Sequence, residues 1–293
     1  MPKSFKKKIS KEKAGKRLDI FLAEVCNQSR NFWQKEIKNS NVKLDNKPAK
    51  AHTVLKAGQI VEFVISKKRS QIKEEKIKPE IIYEDKDLLA INKPAGLLVY
   101  APKDKEETTI VSIFRNKVTD YDKLRPGIVH RLDRDTSGIM LIAKNPQIKK
   151  YLTGLFKKRQ IKKTYKALIW GKLRPAKAKL ELPIARDISH RHRMAVSSSG
   201  KQAVSFYKVI KEYKDFSLVE IELITGRTHQ IRAQFKYLGH PVVGDKIYGR
   251  KETPGLKRQF LHAAKIEFKL PNGEQLTLKA NLPTELNFFL NSL

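Results

Sequence analysis

Residues 139–143, in the stretch GIMLIAKN, form an unbroken apolar run. Its length suits a strand, and a strand without polar alternation is buried on both faces, so the chain needs a sheet covered by further layers. Immediately before the run, GIVHRLDRDTSG crowds His130, Arg131, Asp133, Arg134 and Asp135 against the buried strand. If HRLD is extended, alternation sends Arg131 and Asp133 to one side and His130 and Leu132 to the other. A carboxylate placed there is held by the strand yet remains within reach of a ligand. In the turn DTSG, the side chain of Asp135, Thr136 or Ser137 can bond nearby backbone N–H groups, with Gly138 supplying unusual dihedrals. That division makes Asp135 structural and leaves Asp133 for chemistry.

The surrounding pattern mixes strands and helices. Two short apolar runs in EIIYEDKDLLAINKPAG read as a hairpin entering a Pro/Gly loop. SLVEIELITG alternates, with Val219, Ile221 and Leu223 on one face and Glu220 and Glu222 on the other. HQIRAQFKYLG puts Ile231, Phe235 and Leu238 on one helical stripe and stops at Gly239.

A charged stretch without apolar periodicity, SKKRSQIKEEKIKPE at 66–80, reads as a linker that separates a small module from the larger one at 81–293. Residues 1–14 read as a basic tail, and 15–65 as a compact unit. In GKRLDIFLAEV, Leu18, Phe21, Leu22 and Val25 follow helical spacing, with Arg17 and Asp19 on the wet side. Ser29 is the expected N-cap of a second helix carrying Phe32, Trp33 and Ile37. VKLDNKPAK predicts a tight hairpin at Asp45 and Asn46, and 59–65 a closing strand.

Charge narrows the partners. The 293 residues carry 62 Lys and Arg against 30 Asp and Glu, a net +32. Such an excess points to a polyanion, since each cation that neutralises a phosphate releases a condensed counterion. A lysine-rich proteome would also raise the total, so the arginines inside motifs weigh more. One cysteine, Cys26, rules out an internal disulfide framework and a multi-cysteine zinc site, and fits a reducing compartment. No run approaches the ~20 apolar residues of a membrane span, and the basic start lacks the apolar segment of a secretory signal, so a cytoplasmic protein is expected.

The seven histidines show no metal-ligand spacing, and neither a Walker loop, a dinucleotide fingerprint nor a nucleophile elbow is present. Asp133 and Asp135 lie too close in one turn to flank a glycosidic bond easily. From spacing alone, a carboxylate among arginines is more often a structural ion pair than a nucleophile.

A resemblance changes those odds. GIVHRLDRDTSGIMLIAK resembles the signature of the RluA-type pseudouridine synthases. LLAINKPAGLLVY at 88–100, KKTYKALIWG at 162–171, LITGRTHQIRAQFKYLGHPVVGDKIYG at 223–249 and FLHAAKIEF at 260–268 agree in order. The likeness covers about 75–290. Residues 15–65 resemble the S4 RNA-binding domain, on apolar spacing plus Arg17, Ser29, Lys47 and Gly58. One loop departs: LPIARDISHRHRMAV has Ala185 where many relatives have glycine.

The resemblance implies an α+β fold, with a mixed, largely antiparallel central sheet split by a cleft, preceded by the small S4-like domain. It implies isomerisation of uridine to pseudouridine without cofactor or metal. Asp133 matches the catalytic aspartate, Tyr165 the tyrosine that stacks on the base and is proposed to help remove its C5 proton, Arg232 the basic partner of the aspartate, and Arg131 the residue that fills the vacancy left by the extruded nucleotide. In the S4-like module, Arg17, Arg30, Lys35, Lys38 and Lys43 are the expected phosphate contacts. The partner expected is RNA, ribosomal rather than transfer RNA by analogy, bound by a monomer. The rival readings are a non-catalytic RNA-binding or ribosome assembly factor, for which charge and the S4-like module would suffice, and a nuclease.

Overall fold

The computed structural model describes residues 3–26, 28–65, 78–101, 107–120, 122, 125–190, 192–249, 253 and 255–293. The described residues form two compact units, one within 3–65 and the other within 78–293. Most of the expected linker, 66–77, lies outside the described residues.

In the first unit, β1 (Lys3–Lys8), α1 (Leu18–Cys26), α2 (Arg30–Lys38), β2 (Val42–Leu44), β3 (Lys47–Pro48) and β4 (Ile60–Ile65) follow in order. The strands make a sheet ordered β1-β4-β2-β3. Ser29 caps α2 by accepting from Phe32 N–H at 3.1 Å. Asp45 and Asn46 both have positive φ, 49° and 64°, as a two-residue hairpin turn requires. Leu18, Phe21, Leu22, Trp33, Ile37 and Phe63 close a small core.

Two sequence expectations change here. Residues 3–8 are not a tail: β1 pairs antiparallel with β4, and Phe5 stacks on Phe63 with centroids 5.5 Å apart. The β4 ladder, the aromatic pair, the buried Ile9 and an ion pair from Lys6 to Glu62 at 2.5 Å together hold this lysine-rich segment. Asp19 is not on the wet side but fully buried, accepting from Arg17 (3.0 and 2.9 Å), Gln34 (2.7 Å) and Arg30 (3.4 Å). Burial raises its pKa and these donors more than reverse that, so the net direction is down.

The second unit contains β5 (Glu80–Glu84), β6 (Leu88–Lys93), α3 (Ile110–Phe114), β7 (Ser137–Ala143), α4 (Pro146–Lys157), β8 (Lys162–Trp170), β9 (Lys177–Glu181), β10 (Ile184–Arg186), β11 (Met194–Val196), β12 (Val204–Glu212), β13 (Phe216–Leu223), α5 (Gln230–Tyr237), β14 (Leu261–Lys269), β15 (Gln275–Lys279) and α6 (Thr284–Asn291). The main sheet runs β5-β6-β7-β14-β8-β13-β12-β9, with β15 added to β14. Its pairings are antiparallel except β7 with β14. The mixed, largely antiparallel α+β architecture is therefore the one expected.

The apolar run at 139–143 is the core of β7, and every residue of that strand is buried. Met140 and Ile142 join one hydrophobic cluster with Ile231 and Phe235 of α5, while Ile139, Leu141 and Ala143 join another with Ile148 and Leu152 of α4. Both faces are thus covered. The parallel join between β7 and β14 is short, pairing Ser137 with His262 and Gly138 with Ala263. Gly138 has φ +115°, and a Cβ there would sit 2.2 Å from the Ala263 carbonyl oxygen. Only glycine permits this approach.

Candidate active site

Residues 130–133 lead into β7 outside any strand pairing, yet they alternate as an extended segment should. Leu132 is 4% exposed and belongs to the core, while Arg131 is exposed and Asp133 half-buried. His130 points inward. Its Nε2 accepts from Leu141 N–H at 2.8 Å and its ring stacks on Phe156. Burial, helped by the Lys163 charge, lowers its pKa to about 3, so the imidazole is neutral, as an accepting Nε2 requires.

The following turn is stitched differently from the sequence reading. Among the described residues, the side chains of Asp135, Thr136 and Ser137 make no bond to neighbouring N–H groups. Instead Gln259 donates to Thr136 Oγ1 (3.3 Å), Arg258 donates to Ser137 Oγ (3.1 Å), and His262 Nδ1 lies 2.9 Å from the same hydroxyl. Thr136 and Ser137 are buried, so their hydroxyls meet the segment entering β14 rather than their own loop.

Arg232 comes from α5, whose Ile231 and Phe235 anchor the helix in the core. Its guanidinium is almost fully buried and bridges two carboxylates. Nη1 donates to Asp133 Oδ2 at 2.9 Å, while Nε and Nη2 donate to Asp245 Oδ2 and Oδ1 at 2.6 and 2.9 Å. The second contact is the two-pronged fork that arginine makes with a carboxylate. Asp245 Oδ1 also accepts from Ile247 N–H (2.9 Å) and Tyr248 N–H (3.1 Å). Burial pushes the Asp245 carboxyl up, but Arg232 and the two amides outweigh it and hold it below the usual carboxylate range. Burial likewise opposes the Arg232 charge, and the two carboxylates more than restore it.

Further groups close the site. The Tyr248 ring lies 5.1 Å from Arg232 Cζ, and its hydroxyl accepts from Met194 N–H at 2.7 Å and sits 3.0 Å from His229 Nδ1. His229 Nε2 is 3.9 Å from Asp133 Oδ2. Burial lowers the His229 pKa despite the Asp133 charge. Tyr165 lies on β8, paired with Ala263 of β14, and is 7% exposed. Burial, and after it the Asp133 charge, raises its phenol pKa.

Asp133, Tyr165, Arg232 and Arg131 all line one cleft of about 670 Å³, within the ~300–1,000 Å³ usual for small-molecule sites. Among the described residues Asp133 is the one carboxylate on its lining. Arg131 hydrogen-bonds the Tyr100 hydroxyl and lies 5.0 Å over that ring, which Arg125 also covers at 4.5 Å. Arg17, Arg30, Lys35, Lys38 and Lys43 belong to the other unit. Arg17 and Arg30 hold Asp19, and the three lysines are exposed. No group of three or more potential ligands that could hold a metal occurs among the described residues. No helix there is long and apolar enough to cross a membrane.

Sequence reasoning assigned no role to Asp245, His229, Tyr248 or Lys93. Lys93 ends the apolar β6 and is fully buried, its ammonium donating to the carbonyls of Pro94, Leu97 and Arg134, each at 2.8 Å. Burial draws its pKa down to about 7. Three carbonyl acceptors nevertheless need three N–H donors, which only the ammonium supplies. It therefore staples the loop after β6 to the residue following Asp133. The signal available in the sequence is a lysine closing a strand that opens with the apolar run Leu88–Ile91, directly before proline.

Comparison with known proteins agrees with this geometry. A family model described as RNA pseudouridylate synthase matches residues 87–237. The chain is 34% identical to an uncharacterized RNA pseudouridine synthase of Bacillus subtilis, over 97% of this chain and 96% of that one. It is 33% identical to ribosomal large subunit pseudouridine synthase D of Xanthomonas campestris, over 96% and 89%. Among solved structures, human RNA pseudouridylate synthase domain containing 4 is similar with a TM-score of 0.58 and 27% identity, covering 73% of this chain and 91% of its own. With a family model spanning half its length and relatives matched over most of both chains, this protein belongs to the RNA pseudouridylate synthase family and is a pseudouridine synthase.

Proposed function

We propose that the protein isomerises uridines of large-subunit ribosomal RNA, with Asp133 as the catalytic carboxylate. The observation that carries this reading is the position of Asp133, the sole carboxylate lining the cleft among the described residues and fixed there by Arg232. The ribosomal target rests on relatives such as the Xanthomonas protein, named for the large ribosomal subunit.

The reaction breaks the N1–C1′ bond, turns the uracil and joins C5 to C1′; the C5 proton leaves and N1 gains one, so no redox partner is needed. Asp133 serves either by adding to the base or sugar or by removing a ribose proton. Arg232 orients it, and the fork to Asp245 keeps Arg232 in place. The raised pKa of Tyr165 keeps the phenol protonated in the resting site. That suits an aromatic wall for the base, worth roughly 1–3 kcal/mol per stacked base, and counts against Tyr165 as the resting acceptor of the C5 proton. Extruding the nucleotide costs a few kcal/mol, and Arg131 entering the vacated position offsets part of it. The first unit is proposed to be an S4-like RNA-binding domain, with Lys35, Lys38 and Lys43 contacting phosphates and Arg17 and Arg30 presented by buried Asp19.

Asp133→Asn keeps the shape and removes the anion. Tritium release from RNA labelled at uracil C5 should vanish while RNA binding persists; undiminished release would rule out the assignment. Mapping pseudouridines in ribosomal and transfer RNA with and without the gene tests the target. A non-catalytic RNA binder predicts no release from the wild type either.

A further inference from the structure

We propose that Lys163, Arg159 and Arg227 form a phosphodiester-binding rim of the Asp133 cleft, with Lys163 anchoring a phosphate beside the extruded uridine. This rests on the reading above that an RNA uridine enters the cleft.

The lining is unbalanced in charge. Apart from Asp133, its Asp, Glu, Lys and Arg residues are all cations: Arg131, Lys157, Arg159, Lys163, Arg227 and Arg232. Asp133 is already engaged with Arg232, which leaves the other cations without an anion of the cleft's own. Lys163 is the sharpest case. Its neighbour Lys162 reaches Glu222 across the sheet at 3.4 Å, whereas the Lys163 ammonium makes no hydrogen bond or ion pair among the described residues and only skirts the Phe156 ring at 5.9 Å. Partial burial without a counter-ion lowers its pKa to about 8. An unpaired, desolvated ammonium is unfavourable, and a cleft that receives a polyanion supplies the missing charge.

The two arginines are fixed without being neutralised. Arg159 Nη2 donates to Gln202 Oε1 at 3.0 Å, and Arg227 Nε donates to the Gln202 carbonyl at 3.0 Å. One uncharged residue thus braces both guanidiniums and leaves their positive charge available. Arg159 occupies the tight turn between α4 and β8 at φ 59°, a conformation non-glycine residues seldom adopt. A guanidinium can take an oxygen pair of a phosphate in two parallel bonds, and the nucleotides on either side of a flipped uridine bring phosphates to the cleft mouth.

The test uses total RNA tritiated at uracil C5, from cells lacking the gene, with turnover followed by tritium release and binding by filter retention. Lys163→Gln should raise KM about tenfold while kcat changes less than about threefold. The slope of log KM against log salt should fall by about 0.7–1, as expected for one lost phosphate contact. Lys163→Arg should recover most of the affinity, and an Arg159→Gln, Arg227→Gln double variant should weaken binding and flatten the slope further. Unchanged KM and slope, a loss confined to kcat, or an Arg variant no better than Gln would each overturn the rim. Repeating the binding arm in Asp133→Asn protein separates the two claims. Turnover by Asp133→Asn defeats the catalytic reading alone, whereas equal RNA binding with and without Lys163→Gln defeats the rim alone.

Discussion

Replacing Asp245 by asparagine isolates the buried charge that holds the site. The asparagine Oδ1 can still accept from Ile247 and Tyr248, but the amide nitrogen then faces Arg232 Nε–H, now 2.6 Å from Oδ2. A donor meets a donor, and a nearly buried guanidinium loses the stronger of its two carboxylates. Removing one partner of a buried pair costs ~3–5 kcal/mol. Because Asp133 remains bonded to Arg232, the lower end, about 3 kcal/mol, applies. At roughly 2–4 °C per kcal/mol for a domain of this size, the catalytic unit should melt about 6–12 °C lower at pH 7.

The pH dependence fixes the sign independently. The folded-state pKa of Asp245 is lowered, so its contribution is complete above the unfolded value, about 4, and is lost as pH falls through the folded value. Wild type and variant should therefore converge in acid. Calorimetry across pH 3–7 checks this, with kcat measured alongside, since a slackened Arg232 should misplace Asp133. A variant that melts within about 1 °C of wild type at pH 7, or a gap that fails to narrow in acid, refutes the reasoning.

Two further substitutions probe neighbouring claims. Arg232→Lys keeps the charge but can serve neither the fork to Asp245 nor Asp133 at the same time, so kcat should fall at least about tenfold with KM little changed; wild-type kinetics would show that orientation of Asp133 is not its role. Gly138→Ala drives a Cβ to 2.2 Å from the Ala263 carbonyl at φ +115° and should cost several kcal/mol, seen as a lowered denaturation midpoint or insoluble protein, whereas ordinary stability would mean that β7 and β14 do not meet this closely.

Local periodicity carries far where packing repeats it. The uninterrupted run at 139–143 implies two covered faces, and β7 supplies one cluster from Met140 and Ile142 and the other from Ile139, Leu141 and Ala143. The alternation of β13 and the stripe on α5 follow the same logic, as do the Ser29 cap and the Asp45–Asn46 turn. Failures come where a polar residue is buried by a partner distant in sequence. Asp19 occupies a position that reads as solvent-facing, yet Gln34 and Arg30 reach it from α2. Residues 3–8 look like a solvated basic arm until Phe5 finds Phe63.

The site shows the same boundary more sharply. Extended geometry alone puts Arg131 and Asp133 on one side of HRLD and Leu132 on the other, and that is how they lie. Nothing local tells that Asp133 meets Arg232, 99 positions away, or that Arg232 is itself gripped by Asp245. Motif likeness supplies the first pairing because Asp133 and Arg232 both stand in signature stretches. It leaves Asp245 and Lys93 unassigned because neither faces the cleft: one acts through Arg232, the other through the Arg134 carbonyl. Residues that line the cleft carry chemistry that type and spacing can suggest, though His229 lines it without a motif role, whereas residues that hold those residues are defined only by three-dimensional contact. A buried charge in a strand end or an apolar run, such as Lys93 after LLAIN or Asp245 after VVG, is the one trace such supports leave in a sequence, since burial of an ion demands a partner somewhere.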